Sequence, residues 1–187
     1  MGISFGPMRI SGFTAVIDAP VGSMAYTSAG TYTWVAPNGV TAVSVLVVGS
    51  GTPGNGAFSR NGGALSYKNN MAVTPGNSYT VVVRCFGSLC RNYFCGTGVV
   101  SAAYGSIRTG CGGGNGGAGG GTYGGGGGAG GYSGAGGAGG CNANGSAGSG
   151  GGGGGGGGAY NCGYIGGGGG GGGCLFGQGS SGAGGVL

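Results

Sequence analysis

Few side chains in this chain could move a proton or hold a metal. Of its 187 residues, 6 are Lys or Arg, 1 is Asp or Glu and none is His. The acid–base inventory is Asp18, Lys68, the tyrosines and the cysteines. Enzymes usually place His, Asp, Glu or Lys against the reacting bond. Without His there is no Ser-His-Asp or Cys-His arrangement. With one carboxylate there is no acid–base pair for glycoside cleavage. A zinc site containing His is excluded too. The chain is read as a protein without catalytic residues, cofactor or metal, and not as an enzyme.

Seven cysteines remain: Cys85, Cys90, Cys95, Cys111, Cys141, Cys162 and Cys174. The number is odd, so at least one is free or pairs between chains. Cys85, Cys90 and Cys95 are separated by four residues each, unlike the C-x2-C of common zinc sites. A loop disulfide within 85–95 is one alternative. Most thiols are expected to be reduced. The last four read as small apolar residues filling positions in the glycine-rich region.

The net charge of +5 rests on Arg9, Arg60, Lys68, Arg84, Arg91 and Arg108, which form no cluster. Nucleic-acid binding needs a basic stripe, so none is expected. No run of 18 apolar residues occurs, so no membrane insertion is expected. Met1 to Arg9 carries one positive charge but no apolar run follows, which argues against a secretory leader. Gly6 stands where a myristoylation signal needs Ser or Thr.

Glycine divides the chain. It supplies 63 residues in all, 16 of them in residues 1–104 and 47 in residues 105–187. No residue after Arg108 is charged. Three parts follow: an N-terminal arm or docking segment over 1–30, a β-domain over 31–108 and a glycine-rich domain over 109–187.

In the β-domain, Tyr32 and Trp34 alternate with Thr, as in a half-buried strand. Pro37-Asn38-Gly39 marks a turn. A β-branched run from Val40 to Val48 puts Val43, Val45 and Val47 on one face. A second unit repeats the pattern: a strand over Ala64 to Val73, a turn at Thr74-Pro75-Gly76-Asn77 and a strand over Ser78 to Arg84. One more strand is predicted over Val99 to Ile107. The fold class is all-β: a small antiparallel β-sandwich, then a polyglycine II helix bundle with little or no α-helix. Trp34, Tyr79 and the valines read as core.

The bundle is read from a three-residue period. Ala129, Tyr132, Ala135, Ala138, Cys141, Asn144 and Ala147 interrupt the glycines in one phase, and Ala159, Cys162, Ile165, Cys174, Ser180, Ala183 and Val186 keep it. Three residues per turn is the polyproline-II geometry, whose N–H and C=O groups point outward and need partners. Glycine on most faces lets such segments pack side by side. The runs fall near 112–121, 124–131, 134–140, 148–158, 166–173 and 177–185. Disorder is the competing reading, since glycine loses the most freedom on folding. Such a tract is expected to need the β-domain or neighbouring subunits as a template.

Interruptions in the runs place side chains at or near the turns. Tyr and Asn are residue types that build adaptable recognition surfaces. The candidate contact residues are Tyr123, Tyr132, Asn142, Asn144, Tyr160, Asn161, Tyr164, Leu175 and Phe176. Turn chemistry and edge packing are the competing explanation for the same residues.

The motif order carries a resemblance. Tyr32-Thr33-Trp34-Val35-Ala36-Pro37-Asn38-Gly39-Val40-Thr41-Ala42-Val43 is followed by Ala72-Val73-Thr74-Pro75-Gly76-Asn77-Ser78-Tyr79-Thr80-Val81-Val82-Val83. Then Ala103-Tyr104-Gly105-Ser106-Ile107 precedes the poly-Gly tract. Over about residues 31–187 this resembles the glycine-rich domain proteins of bacteriophages, found in tail fibres, appendages and other virion parts. The tract is also similar in style to the polyglycine tips of tail-fibre adhesins, whose exposed turns touch the host receptor.

The resemblance implies a structural virion protein of a tail fibre, tail tip or capsid-surface appendage. Its expected partners are itself, as a homo-oligomer that by family analogy is a trimer, other virion proteins and a host cell-surface receptor. Its expected location is the virion. Two alternatives differ in class: a cellular extracellular filament or matrix protein, and an ice-binding protein using a flat polyglycine II face.

Overall fold

A computed structural model describes residues 22–52, 61–84, 90–121, 124–153, 155, 173–174, 177–178 and 180–185. These residues form an all-β protein with no helix among them. The strands are β1 (Gly30–Val35), β2 (Ala42–Val48), β3 (Leu65–Ala72), β4 (Ser78–Val83), β5 (Asn92–Phe94), β6 (Val100–Ala102), β7 (Arg108–Thr109), β8 (Gly173–Cys174) and β9 (Gly177–Gln178). β1, β4, β5, β6 and β7 lie in that order in one sheet; β2 pairs with β3, and β8 with β9. Every pairing is antiparallel.

The two Pro-Gly motifs build equivalent turns. Val40 N–H donates to Pro37 C=O at 3.1 Å, and Asn77 N–H to Thr74 C=O at 3.1 Å. The third residue of each turn, Gly39 (φ 85°) and Gly76 (φ 79°), has the positive φ that a type II turn requires. The turns are also tied together across the sheet: Ala36 N–H donates to Asn77 C=O at 2.9 Å and Gly76 N–H to Ala36 C=O at 2.8 Å.

The strands bury one face. Ala36, Val47, Ala64, Met71, Val73, Val81, Phe94, Val100 and Ala102 form a single apolar cluster, with Trp34, Tyr79, Val43 and Val45 packed against it. It draws on both the five-stranded sheet and the β2–β3 pair. Trp34, Tyr79 and Phe94 meet with ring centroids 5.7–5.9 Å apart. Each fully buried Val or Phe contributes roughly 1.5–3 kcal/mol. The buried hydroxyls are bonded: Ser66 Oγ donates to Thr109 C=O at 2.5 Å, and Ser101 Oγ to Thr97 C=O at 2.9 Å.

Two strand readings differ from the structure. The predicted strand over 99–107 is a hairpin instead: Ile107 N–H closes on Tyr104 C=O at 3.0 Å around Gly105 (φ 54°), and β7 returns along β6. β5 comes from a stretch with no hydrophobic alternation, and Phe94 enters the core from it. Val43, Val45 and Val47 share the core side of β2 as read from the sequence; the register shift opposite them comes from an extra residue on β3, since Val43 pairs with Met71 and Val45 with Lys68.

The glycine-rich tract grows out of β3. Tyr67 N–H donates to Gly112 C=O at 3.1 Å and Leu65 N–H to Gly114 C=O at 2.9 Å; then Gly62 N–H donates to Gly117 C=O at 2.9 Å. The acceptors advance by two residues, as in a β-ladder, and then by three. Beyond this point the step of three persists. Gly117 and Gly120 donate to Gly128 and Gly125; Gly125, Gly128 and Gly131 donate to Gly140, Gly137 and Gly134; Gly136 and Gly139 donate to Asn115 and Ala118, all at 2.8–2.9 Å.

Segment 134–140 thereby bonds to 112–120 and 125–131. It also takes bonds from Ser146 and Ser149, and gives one to Gly153. A β-strand has two lateral neighbours; this segment has more, so the tract is a bundle and not a sheet. The predicted run over 148–158 is interrupted. Gly150 (φ 50°) and Gly151 (φ 81°) turn the chain, and Gly152 N–H closes on Ser149 C=O at 2.7 Å.

Candidate contact surface

The spacing of donors explains where side chains are allowed. A Cβ on Gly117 would overlap the carbonyl of Gly137, one on Gly127 that of Gly117, and one on Gly139 that of Gly125. At these positions backbones approach too closely for any other residue. The third phase points away from the bundle: Asn115, Ala118, Ala135, Ala138, Cys141 and Ala147 are all exposed. These interruptions thus lie on the outer surface, whereas Ala129 and Tyr132 are half-buried.

Tyr132 lies at the turn between segments 125–131 and 134–140, where Gly131 N–H donates to Gly134 C=O at 2.8 Å. Its ring is half-buried and does not stand clear of the protein. It stacks on Tyr67 of β3, with centroids 4.0 Å apart and planes 7° from parallel. Asn69 Nδ2 reaches the Tyr132 hydroxyl at 3.5 Å. Gly112 leaves room for the Tyr67 ring, since a Cβ there would overlap the phenol. Hydrogen bonding with Tyr132 raises the Tyr67 pKa above the ordinary phenol value; burial and the neighbouring Tyr132 and Cys111 ionisations push it the same way.

Asn142 and Asn144 lie at the next turn and are exposed. Asn142 adopts φ 51°, a left-handed conformation that Asn tolerates better than most residues. Tyr123, Tyr160, Asn161, Tyr164, Leu175 and Phe176 lie outside the described residues or have side chains that do. Of the cysteines, Cys111 and Cys141 are free and exposed on the surface and do not fill space between segments. Cys95 is also free and exposed, and Cys90 is half-buried.

Other side chains attach the bundle to the β-domain without a sequence signal. Asn61 Oδ1 accepts from Gly119 N–H at 3.0 Å. Arg108 Nε donates to Asn115 Oδ1 at 3.0 Å, and its Nη1 to Gly112 C=O at 3.3 Å. Within the glycine-rich tract itself, Gly151 N–H donates to Ser181 Oγ at 3.1 Å.

Among the described residues there is no group of three or more His, Cys, Asp or Glu able to hold a metal ion. The surface offers amides, methyl groups, thiols and phenols, and every charge on the chain lies at or before Arg108. Such a surface suits neutral contacts made by shape and hydrogen bonding. No family model matches the chain, and no curated protein or solved structure matches it.

Proposed function

We propose that this is a structural virion protein of a bacteriophage, built into a tail fibre, tail tip or capsid-surface appendage. In this reading the β-domain is a small antiparallel β-sandwich and the glycine-rich domain a polyglycine II bundle. The observation that carries it is the backbone network with a three-residue step, which binds each segment to several neighbours through groups that hold no side chain between them. Stability of that kind needs little apolar burial and no charge, and it leaves the turns free for recognition.

The β-domain anchors the first glycine segment and gives it a template. Asn142 and Asn144 then stand on the exposed turns as contact candidates for a host receptor or a neighbouring virion protein. The test is mass spectrometry of purified particles, followed by cryo-electron microscopy to locate the chain. The polypeptide should be present in stoichiometric amount. Its absence from intact particles defeats the proposal.

One observation favours ice binding as a second reading: the exposed methyl groups of Ala118, Ala138 and Ala147 lie on neighbouring segments of the bundle. Thermal hysteresis of the purified protein tests it, and freezing behaviour no different from an unrelated protein removes it.

A further inference from the structure

We infer that the outer edge of β1 is a self-association surface, on which the same strand of a second copy adds to form one continuous antiparallel sheet. β1 is the terminal strand of the five-stranded sheet. Its register with β4 runs from Gly30 opposite Val83 to Val35 opposite Ser78. Ala36 N–H donates to Asn77 C=O, so residues of even number face β4. By the alternation of an antiparallel ladder, the N–H and C=O groups of Thr31, Thr33 and Val35 face away from it. All three residues are exposed, Val35 at 51% of its surface.

The other edges are guarded. The β2–β3 register is broken by an extra residue on β3 opposite Val43–Val45, and at the end of β2 Asn92 Nδ2 donates to Val48 C=O at 2.7 Å. The far edge of β3 is occupied by Gly112 and Gly114. β7 is two residues long and carries Arg108. Bulges, short strands, charges and covering segments are the means by which proteins keep sheet edges from pairing. Among the described residues β1 has none of them: six residues, no charge, no Pro and no bulge.

The partner must supply extended backbone and bring no charge. A second β1 does both. Antiparallel pairing about a twofold axis sets Thr33 opposite Thr33 of the second copy, and Thr31 opposite its Val35. These three pairs exchange N–H···O=C bonds in both directions. The central Thr–Thr pair is a favourable cross-strand neighbour. Such an interface is self-complementary, as a twofold contact requires.

Sedimentation velocity on the full chain tests this, with Thr33→Lys and Thr33→Glu checked for folding by far-UV circular dichroism. Wild type should associate. Each single variant should weaken that association by about tenfold or more, since like charges then face each other across the axis. An equimolar mixture of the two should regain it. Thr33→Pro removes the outward N–H, is tolerated on an edge strand, and should dissociate the pair without adding charge. A wild-type chain that stays monomeric, single variants that associate like wild type, or a mixture that stays dissociated would each overturn the inference. Absence of the polypeptide from phage particles would defeat the proposed function and leave this result untouched.

Discussion

Tyr67 and Tyr132 lie face to face, 4.0 Å between ring centroids, and join β3 to the second turn of the glycine-rich bundle. They come from opposite sides of the compositional boundary, 65 positions apart in the sequence. An aromatic pair of this kind adds roughly 0.5–1.5 kcal/mol beyond the area it buries. Tyr132→Ala should therefore cost about 2–3 kcal/mol in urea denaturation, combining lost stacking with lost burial. Tyr132→Phe keeps the stack and should cost about 1 kcal/mol, the net worth of a hydrogen bond. Equal losses in the two variants would show that the stacking contributes nothing.

The same pair sets an alkaline limit. The Tyr67 pKa is raised in the fold, first by its hydrogen bond with Tyr132. A raised phenol pKa means the folded state holds its proton more tightly than the unfolded state. The associated stability is complete below the unfolded phenol pKa of about 10 and falls as pH rises from there through the folded value. Tyr132→Phe removes the largest cause, so its phenolate absorbance titration should move toward the ordinary value and its alkaline loss should shrink. An unchanged titration would separate the shift from Tyr132.

Glycine phase should decide the effect of single methyl groups. Gly117→Ala and Gly127→Ala place Cβ against neighbouring carbonyls, and overpacking of this sort costs about 1–3 kcal/mol or more. Ala138→Gly lies in the exposed phase and should cost no more than about 1 kcal/mol, the backbone entropy difference between the residues. Thermal denaturation of the three variants checks the order. Similar melting temperatures would contradict the packing described.

Asn61 should matter although it sits in a loop. Its side-chain carbonyl accepts from Gly119 N–H, and its backbone N–H donates to Thr52 Oγ1 at 2.9 Å. Asn61→Ala leaves the Gly119 donor without its partner, at about 1–3 kcal/mol where the site is dry. Amide hydrogen exchange at Gly119 should accelerate. If it does not, water replaces Asn61 at no cost.

Much of the architecture could be read from local chemistry. Pro37-Asn38-Gly39 and Thr74-Pro75-Gly76-Asn77 identify their turns because Gly alone supplies the positive φ cheaply. The strands they connect follow from β-branched and aromatic alternation. The three-residue spacing picks out Ala135 and Ala138, but not that they are exposed. What sequence could not place was decided by distant partners. β5 has no alternation, and it exists because β4 and β6 offer it hydrogen bonds on either side. The turn at Gly150–Gly151 opens on Ser149, and a single Ser among glycines does not by itself mark a turn. The Tyr67–Tyr132 contact depends on how the bundle folds back on β3, which no local pattern encodes.

The change of step between Gly114 and Gly117 has a consequence for threading. Within the bundle, sliding one segment by three residues restores nearly every main-chain bond, because the environment repeats. Sliding by one drives a methyl group into a neighbouring backbone. Wrong alignments offset by whole multiples of the repeat are thus close competitors. The break in step against β3 gives the alignment a place to be counted from.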